Sequence, residues 1–133
     1  MKSTNAISPV CNFIAIKIGR KRTRALIDTG AHYSCLNADF AKRAHILVTN
    51  DTSIKLPRLM SANGVPLKIA GTASACISIA GYEHDVELIV VSDLYQNVIF
   101  GIDSLHEMNA VIDVSNATLS IANDTVCVPL IQR

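Results

Sequence analysis

The sequence predicts an all-β domain, and three observations carry that expectation. The apolar residues fall in short runs rich in β-branched and aromatic side chains, such as Phe13 to Ile18 and Val98 to Phe100. Turn signals recur about every 8 to 12 residues, the spacing of sandwiched or closed β domains. Only two stretches show helical periodicity, and both are short. The expected tally is about eight strands and two short helices in one unit, spanning residues 1–133.

The elements follow in chain order. Phe13-Ile14-Ala15-Ile16-Lys17-Ile18 alternates and suits a strand. Gly19 opens a polar turn, Gly19-Arg20-Lys21-Arg22-Thr23, and Arg24 to Ile27 returns as the second strand of a hairpin. Leu36 to His45 is the first helical stretch, capped by Asn37, with Leu36, Phe40, Ala41 and Ala44 near helical spacing. Between Ile54 and Ile69 stand Pro57, Asn63-Gly64 and Pro66. Asn-Gly tolerates positive φ at both positions, so a hairpin tip is expected near Ala62 to Val65. Ala73 to Ile79 and Val86 to Val91 are two more strands, joined across Gly81. Val98-Ile99-Phe100 is wholly apolar and is expected to be buried on both faces. Gly101 ends it, and Asp103 is expected to cap a second helix, Ser104 to Met108. Val111 to Val114 pairs with Thr118 to Ile121 across Ser115-Asn116-Ala117. Val126 to Ile131 is the last strand.

Composition narrows the function classes. Half of the residues are hydrophobic and 17% are charged, which supplies a core and argues against disorder. The net charge of +1 exerts no global pull on nucleic acid or membrane. No apolar run approaches the roughly 18 residues of a spanning helix. Met1 to Asn12 lacks the apolar stretch of a signal peptide. The expectation is a soluble cytoplasmic protein. The nearest pair of the four cysteines, Cys11 and Cys35, is 24 positions apart, so no Cys-x-x-Cys exists and Cys11, Cys35, Cys76 and Cys127 are expected as buried free thiols. His32, His45, His84 and His106 are equally scattered, so no metal and no cofactor is expected.

The chemistry concentrates at Asp28-Thr29-Gly30. This tripeptide directly follows the apolar strand Ala25-Leu26-Ile27, so its carboxylate sits in a turn leaving a sheet. Gly30 lets the backbone pass close to a partner or substrate. Thr29 adds a hydroxyl on a stiff stem. A carboxylate there can act as a general base on water. In most unrelated proteins the same tripeptide is an ordinary Asx-turn. Peptide hydrolysis by carboxylates needs two of them sharing one proton, because like charges about 3 Å apart cannot both ionise. Only one Asp-Thr/Ser-Gly occurs here. The second carboxylate would therefore come from another copy, across a two-fold axis.

Three elements in this order resemble a retroviral-type aspartic protease (retropepsin), and most of all the protease segment of long-terminal-repeat retrotransposon polyproteins. They are Ala25-Leu26-Ile27-Asp28-Thr29-Gly30-Ala31 continuing to Ser34, the hairpin Leu59 to Leu67, and Val98-Ile99-Phe100-Gly101-Ile102-Asp103 followed by a helix and Ala110-Val111-Ile112-Asp113. Together they cover roughly residues 10 to 125 as one domain. The resemblance implies a closed β domain with a flap hairpin, acting as a two-fold homodimer. It implies that Asp28 holds the attacking water with its symmetry mate, without metal or covalent intermediate. Thr29 would bond across the dimer beneath the dyad, and Gly30 would offer its carbonyl to the substrate backbone. Ala31 would border a side-chain pocket, the tip Ala62, Asn63 and Gly64 would close over the peptide, and Ile99 and Phe100 would line or support the pocket wall. The implied substrate is an extended polypeptide, the element's own polyprotein, cleaved at apolar junctions in the cytoplasm, virus-like particles included. A shared proton favours mildly acidic pH.

The sequence also departs from that family. The flap lacks the several glycines of viral members. An acidic residue after Asp-Thr-Gly-Ala and an Arg after the third element's Gly are replaced by His32 and Ile102, so their ion pair cannot form. The interface strands of viral members are only loosely matched by Ile7 to Val10 and Val126 to Ile131. The second reading is therefore a retropepsin-fold dimerisation or protein-binding module with weak or no proteolysis. A third is nucleic-acid binding through Arg20 to Arg24, against which stands an ordinary solvated hairpin tip. His32 can touch substrate or be a solvated loop residue. Asp103 reads as a helix cap rather than a second catalytic acid, and Asp113 as a turn or sheet-edge residue. Cys35 has no His partner at a telling spacing, which argues against a thiol nucleophile.

Overall fold

The computed structural model describes residues 12–51, 55–61 and 63–132. Strands β1 (Asn12–Ile18) and β2 (Lys21–Ile27) form the expected first hairpin. β1 alternates as the sequence demands, with Ile14, Ile16 and Ile18 buried and Ala15 and Lys17 exposed. The turn is shorter than expected, only Gly19 and Arg20. Gly19 adopts φ +56, and the Arg20 amide is held by the Ala44 carbonyl at 3.0 Å, so the chain reverses at once and Lys21 to Thr23 join the ladder.

Strand β3 (Cys35–Asn37) leads into helix α1 (Ala38–Arg43). Asn37 caps it, accepting from the Phe40 amide at 2.9 Å. Leu36, expected in the helix, lies instead in β3. That segment is wedged between two other strands, and tertiary pairing overrides its helical spacing. β4 (Lys68–Ile79) and β5 (Tyr82–Ser92) make the longest hairpin. Its two turn residues, Ala80 and Gly81, both have positive φ, as a tight hairpin requires.

Strand β6 (Val98–Phe100) is buried throughout. Helix α2 (Ile102–Glu107) follows it, starting two residues before the expected Ser104. The N-cap position is Gly101, not Asp103, because the Asp103 carboxylate is turned to Ser34. The chain then forms a three-stranded antiparallel sheet, β7 (Val111–Asp113), β8 (Thr118–Ile121) and β9 (Val126–Pro129). Asp113 is the turn residue anticipated. The Asn116 side-chain amide, the Asn116 N–H and the Ser115 hydroxyl hold its carboxyl below the ordinary range. The expected last strand breaks at Leu130, and β10 (Ile131–Gln132) pairs with β1 of the same chain. Ile7 to Val10, the other expected interface strand, lies outside the described residues.

The main sheet runs β10-β1-β2-β6-β3-β5-β4, and β4 pairs again with β1 through Lys17–Ser78 and Ile18–Ile77. Six strands thus close on themselves, and closure removes sheet edges. Inside sits the larger core, with Ile14, Ile18, Leu36, Ile77, Val90, Val98 and Phe100; Leu105 of α2, Met108 just after it, and Leu119 and Ile121 of β8 pack on it. A second cluster gathers Phe13, Leu26, Cys35, Ile89, Val91, Leu94 and Ile99. One topological feature positions the site. β6 inserts between β2 and β3, parallel to the first and antiparallel to the second, so the loop joining β2 to β3 passes over the end of β6.

Candidate active site

Asp28 stands where β2 leaves the sheet. Its amide still donates to the Phe100 carbonyl of β6 at 3.0 Å, so the ladder holds the turn at its first residue. The Gly30 amide donates to Asp28 Oδ1 at 3.0 Å and the Ala31 amide to the Asp28 carbonyl at 3.1 Å. Locally this is an Asx-turn. What distinguishes it is its place beside β6 and the unused acceptor: Oδ2 makes no hydrogen bond among the described residues. Thr29, Gly30 and His32 are exposed, Asp28 and Ala31 half-buried.

A buried polar clamp fixes the loop from beneath. Ser34 and Ser104 are the buried polar residues among those described. The Ser34 hydroxyl donates to Asp103 Oδ1 at 2.7 Å, accepts from the Gly101 amide at 3.0 Å and lies 2.6 Å from the Ser104 hydroxyl. A hydroxyl has one proton and two lone pairs. With the proton on Asp103 and one lone pair on Gly101, Ser104 is the donor to the other. The Ser34 amide reaches Asp103 Oδ2 at 3.2 Å, and the Ile102 amide binds the Ala31 carbonyl at 2.8 Å. This clamp ties the Asp28 loop to the start of α2. Gly101 permits the close approach, since a Cβ there would meet the Ala31 and Tyr33 carbonyl oxygens at 2.8 and 2.7 Å.

The sequence singled out Asp103 as a cap and assigned no role to Ser34 or Ser104. The signal available was a small polar residue six positions after Asp28, flanking an otherwise apolar strand.

The anticipated wall residues separate. Ile99 faces the second cluster with Leu26 and Cys35, and the half-buried flap residues Leu59 and Leu67 pack on that cluster. Phe100 points the other way and is 0% exposed in the main core. Successive strand residues face opposite sides, so of the two roles expected, lining or supporting the wall, only support from behind is open to Phe100, and its carbonyl holds Asp28.

The flap hairpin exists around a single bridge, Met60 to Pro66. Leu67 donates to the Leu59 carbonyl at 2.9 Å and Ser61 to the Val65 carbonyl at 2.8 Å. Gly64 takes φ +81, and Asn63 and Gly64 are exposed at the tip; Ala62 lies outside the described residues. The Ser61 hydroxyl bonds the Asn63 side-chain oxygen and accepts from the Val65 amide at 3.2 Å. Side-chain hydrogen bonding thus helps to shape the tip.

Among the described residues Cys35, Cys76 and Cys127 are free thiols as expected, but of these only Cys35 is buried; Cys11 lies outside the described residues. Burial, and then the Asp103 charge, push the Cys35 thiol up to about 11. A thiol so raised is almost wholly protonated near pH 8 and unreactive. Iodoacetamide at that pH should alkylate Cys76 and Cys127 in the native protein and spare Cys35, as read by peptide mass mapping. Rapid labelling of Cys35 would contradict this packing. Among the described residues no group of three His, Cys, Asp or Glu is placed to hold a metal ion, and no helix is long and apolar enough to cross a membrane.

A closed β barrel with an Asp-Thr-Gly turn laid over an inserted apolar strand defines the retropepsin-like fold. The model of the "gag-polyprotein putative aspartyl protease" family matches residues 14–107, and the chain belongs to that family. Among solved structures it is similar to the retroviral protease-like domain of Ddi1 from Leishmania major, at TM-score 0.73 and 22% identity, over 93% of this chain and 96% of that one. It is also similar to EIAV protease in complex with the inhibitor HBY-793, at TM-score 0.61 and 19% identity, over 77% of this chain and 91% of that one. At these identities the likeness concerns the fold. No curated protein sequence matches.

Proposed function

We propose that the chain is an aspartic endopeptidase acting as a homodimer, with one Asp28 from each copy forming the catalytic pair. The observation that carries this reading is the Asp28 turn itself: a carboxylate with one oxygen locked by Gly30 and the other unused among the described residues, on an exposed loop anchored to a buried clamp. One carboxylate cannot be both base and acid in a single step. Two sharing a proton can, the ionised one drawing a proton from water while the protonated one donates to the scissile carbonyl. Asp103 is not the second acid, because Ser34 and Ser104 engage it.

A surface next to the turn suits a second copy. Exposed Thr29, Ile102 and Val111 border a recess of about 540 Å³ between α2 and β7. β10 is spent on β1 of its own chain, so this face, continuous with Thr29, is the better candidate for the contact. The substrate in this reading is an extended polypeptide, pairing its backbone with the flap and the loop edge as an added strand. A polyprotein containing this domain is the natural one, and mildly acidic pH should favour cleavage.

The test measures mass by sedimentation and cleavage of an unstructured polypeptide over the same dilution series. Specific activity should fall as the dimer dissociates. A stable monomer that cleaves would overturn the shared site. A confirmed dimer that cleaves nothing between about pH 4 and 7, where a shared carboxyl proton is expected, would leave a dimerisation module instead.

A further inference from the structure

The net charge of +1 conceals a segregation of charge. Of twelve Lys and Arg residues, five lie between Lys17 and Arg24 on the β1–β2 hairpin, and Lys42 and Arg43 form the last turn of α1. The fold makes these one patch. Arg20 donates its amide to the Ala44 carbonyl, and Gly19 packs so closely that a Cβ would lie 2.4 Å from that oxygen. The end of α1 therefore abuts the hairpin tip. Lys17 and Arg22 are cross-strand partners, and Arg24, opposite exposed Ala15, extends the same outer face.

The hairpin and α1 carry little counter-charge of their own, and the carboxylate that borders them is Glu83 of β5, which shares a recess with Lys17 and Gly19. Residues 12–27 contain no carboxylate, and α1 has only Asp39, in its first turn. Among the described residues none of these cations is in an ion pair. Two guanidinium groups are preorganised: Arg24 lies 5.2 Å over the Phe13 ring and Arg43 5.5 Å over the Phe40 ring, and both rings are buried. A stacked guanidinium keeps its N–H edge free for phosphate oxygens and loses less freedom on binding.

We infer that the β1–β2 tip and the end of α1 form a binding site for a nucleic-acid phosphate backbone, single-stranded RNA in the first instance. The outward side chains of the hairpin face are Lys17, Arg22, Arg24 and Ala15, with no large apolar group. A protein partner would ordinarily need an apolar centre, whereas a phosphate chain needs closely spaced cations. Along β2 at roughly 3.3 Å per residue, Arg22 near the tip stands about 20 Å from Asp28, and Arg24, the cation of the patch nearest to it in the strand, about 13 Å. A bound strand therefore leaves the Asp28 turn uncovered.

The experiment titrates a labelled unstructured RNA of about 20 nucleotides into the full chain by fluorescence anisotropy over stepped salt. Engaging about five phosphates predicts a slope of log K on log salt near −3.5, since each contributes about −0.7 on a single strand. Arg20→Glu, Arg22→Glu and Lys42→Glu together should weaken binding at least tenfold. Lys55→Glu, Arg58→Glu and Lys68→Glu together should change it less than twofold. A milder pair, Arg22→Gln with Arg24→Gln, should make the slope shallower by about 1.4, and it decides the matter if the triple reversal fails to fold. Absence of RNA binding at low salt, or an affinity untouched by the patch variants, overturns the site. Equal competition by polyglutamate of matched charge overturns it in favour of an acidic protein. Each readout is independent of proteolysis.

Discussion

Asp28→Asn is expected to leave a folded dimer that cleaves nothing. The substitution is nearly isosteric, and the amide oxygen of Asn can still accept from the Gly30 amide as Asp28 Oδ1 does. The turn therefore survives, and so does the bond from the residue-28 amide to the Phe100 carbonyl. What is lost is a group that can exchange a proton near neutral pH. With neither general base nor general acid available, the rate should fall by about 1,000-fold or more. Dimer affinity should hold or rise, because an amide pair has no charge to repel its twin across the axis. A mixing experiment separates this from a trivial loss of fold. With a tenfold excess of the Asn variant, about one wild-type subunit in eleven meets another under random pairing, so activity should drop to roughly a tenth. If activity is unchanged by the excess, the two carboxylates do not come from two chains.

What was legible in the sequence was what short-range pattern determines. The alternation of Phe13 to Ile18, the apolar Val98 to Phe100 and the Asn37 cap all read correctly because their neighbours in sequence are their determinants. The misreadings share one cause. Leu36 keeps helical spacing with Phe40, but β5 and β6 flank it and impose a strand. Asp103 stands where a cap belongs, yet its partner is Ser34, 69 positions earlier. The two roles left open for Ile99 and Phe100, lining or supporting, divide only in the fold, since closure of the barrel decides that Phe100 enters the main core and Ile99 the second cluster. Asp28 itself was legible as a turn carboxylate. The support that makes the turn a rigid platform was not, because a lone serine carries no periodicity.

That support sets the second large effect. Ser34→Ala should lower stability by about 2–4 kcal/mol, with a melting temperature lower by roughly 10 °C for a domain of this size. Ser34 is 0% exposed, and its hydroxyl serves three partners. Alanine leaves the Gly101 amide and the Ser104 hydroxyl without that acceptor, in a space no water reaches easily. Asp103 keeps the Ser104 amide at 2.7 Å and the residue-34 amide at 3.2 Å, so its carboxylate is weakened rather than abandoned. The Asp28 loop would lose its tie to Gly101 while retaining the Ala31 to Ile102 bond. A loop displaced by even about 1 Å can lower kcat/KM by up to about 100-fold, so activity should fall further than the folded fraction alone explains. Ser104→Ala removes a single bond of the same set and should be milder, near 1 kcal/mol. The double variant then tests the network directly. If the two hydroxyls act as one unit, their effects will fall short of additivity by about 1 kcal/mol in a denaturant cycle. Strict additivity would mean that the Ser34–Ser104 contact carries no energy, and the clamp would reduce to Ser34, Asp103 and Gly101.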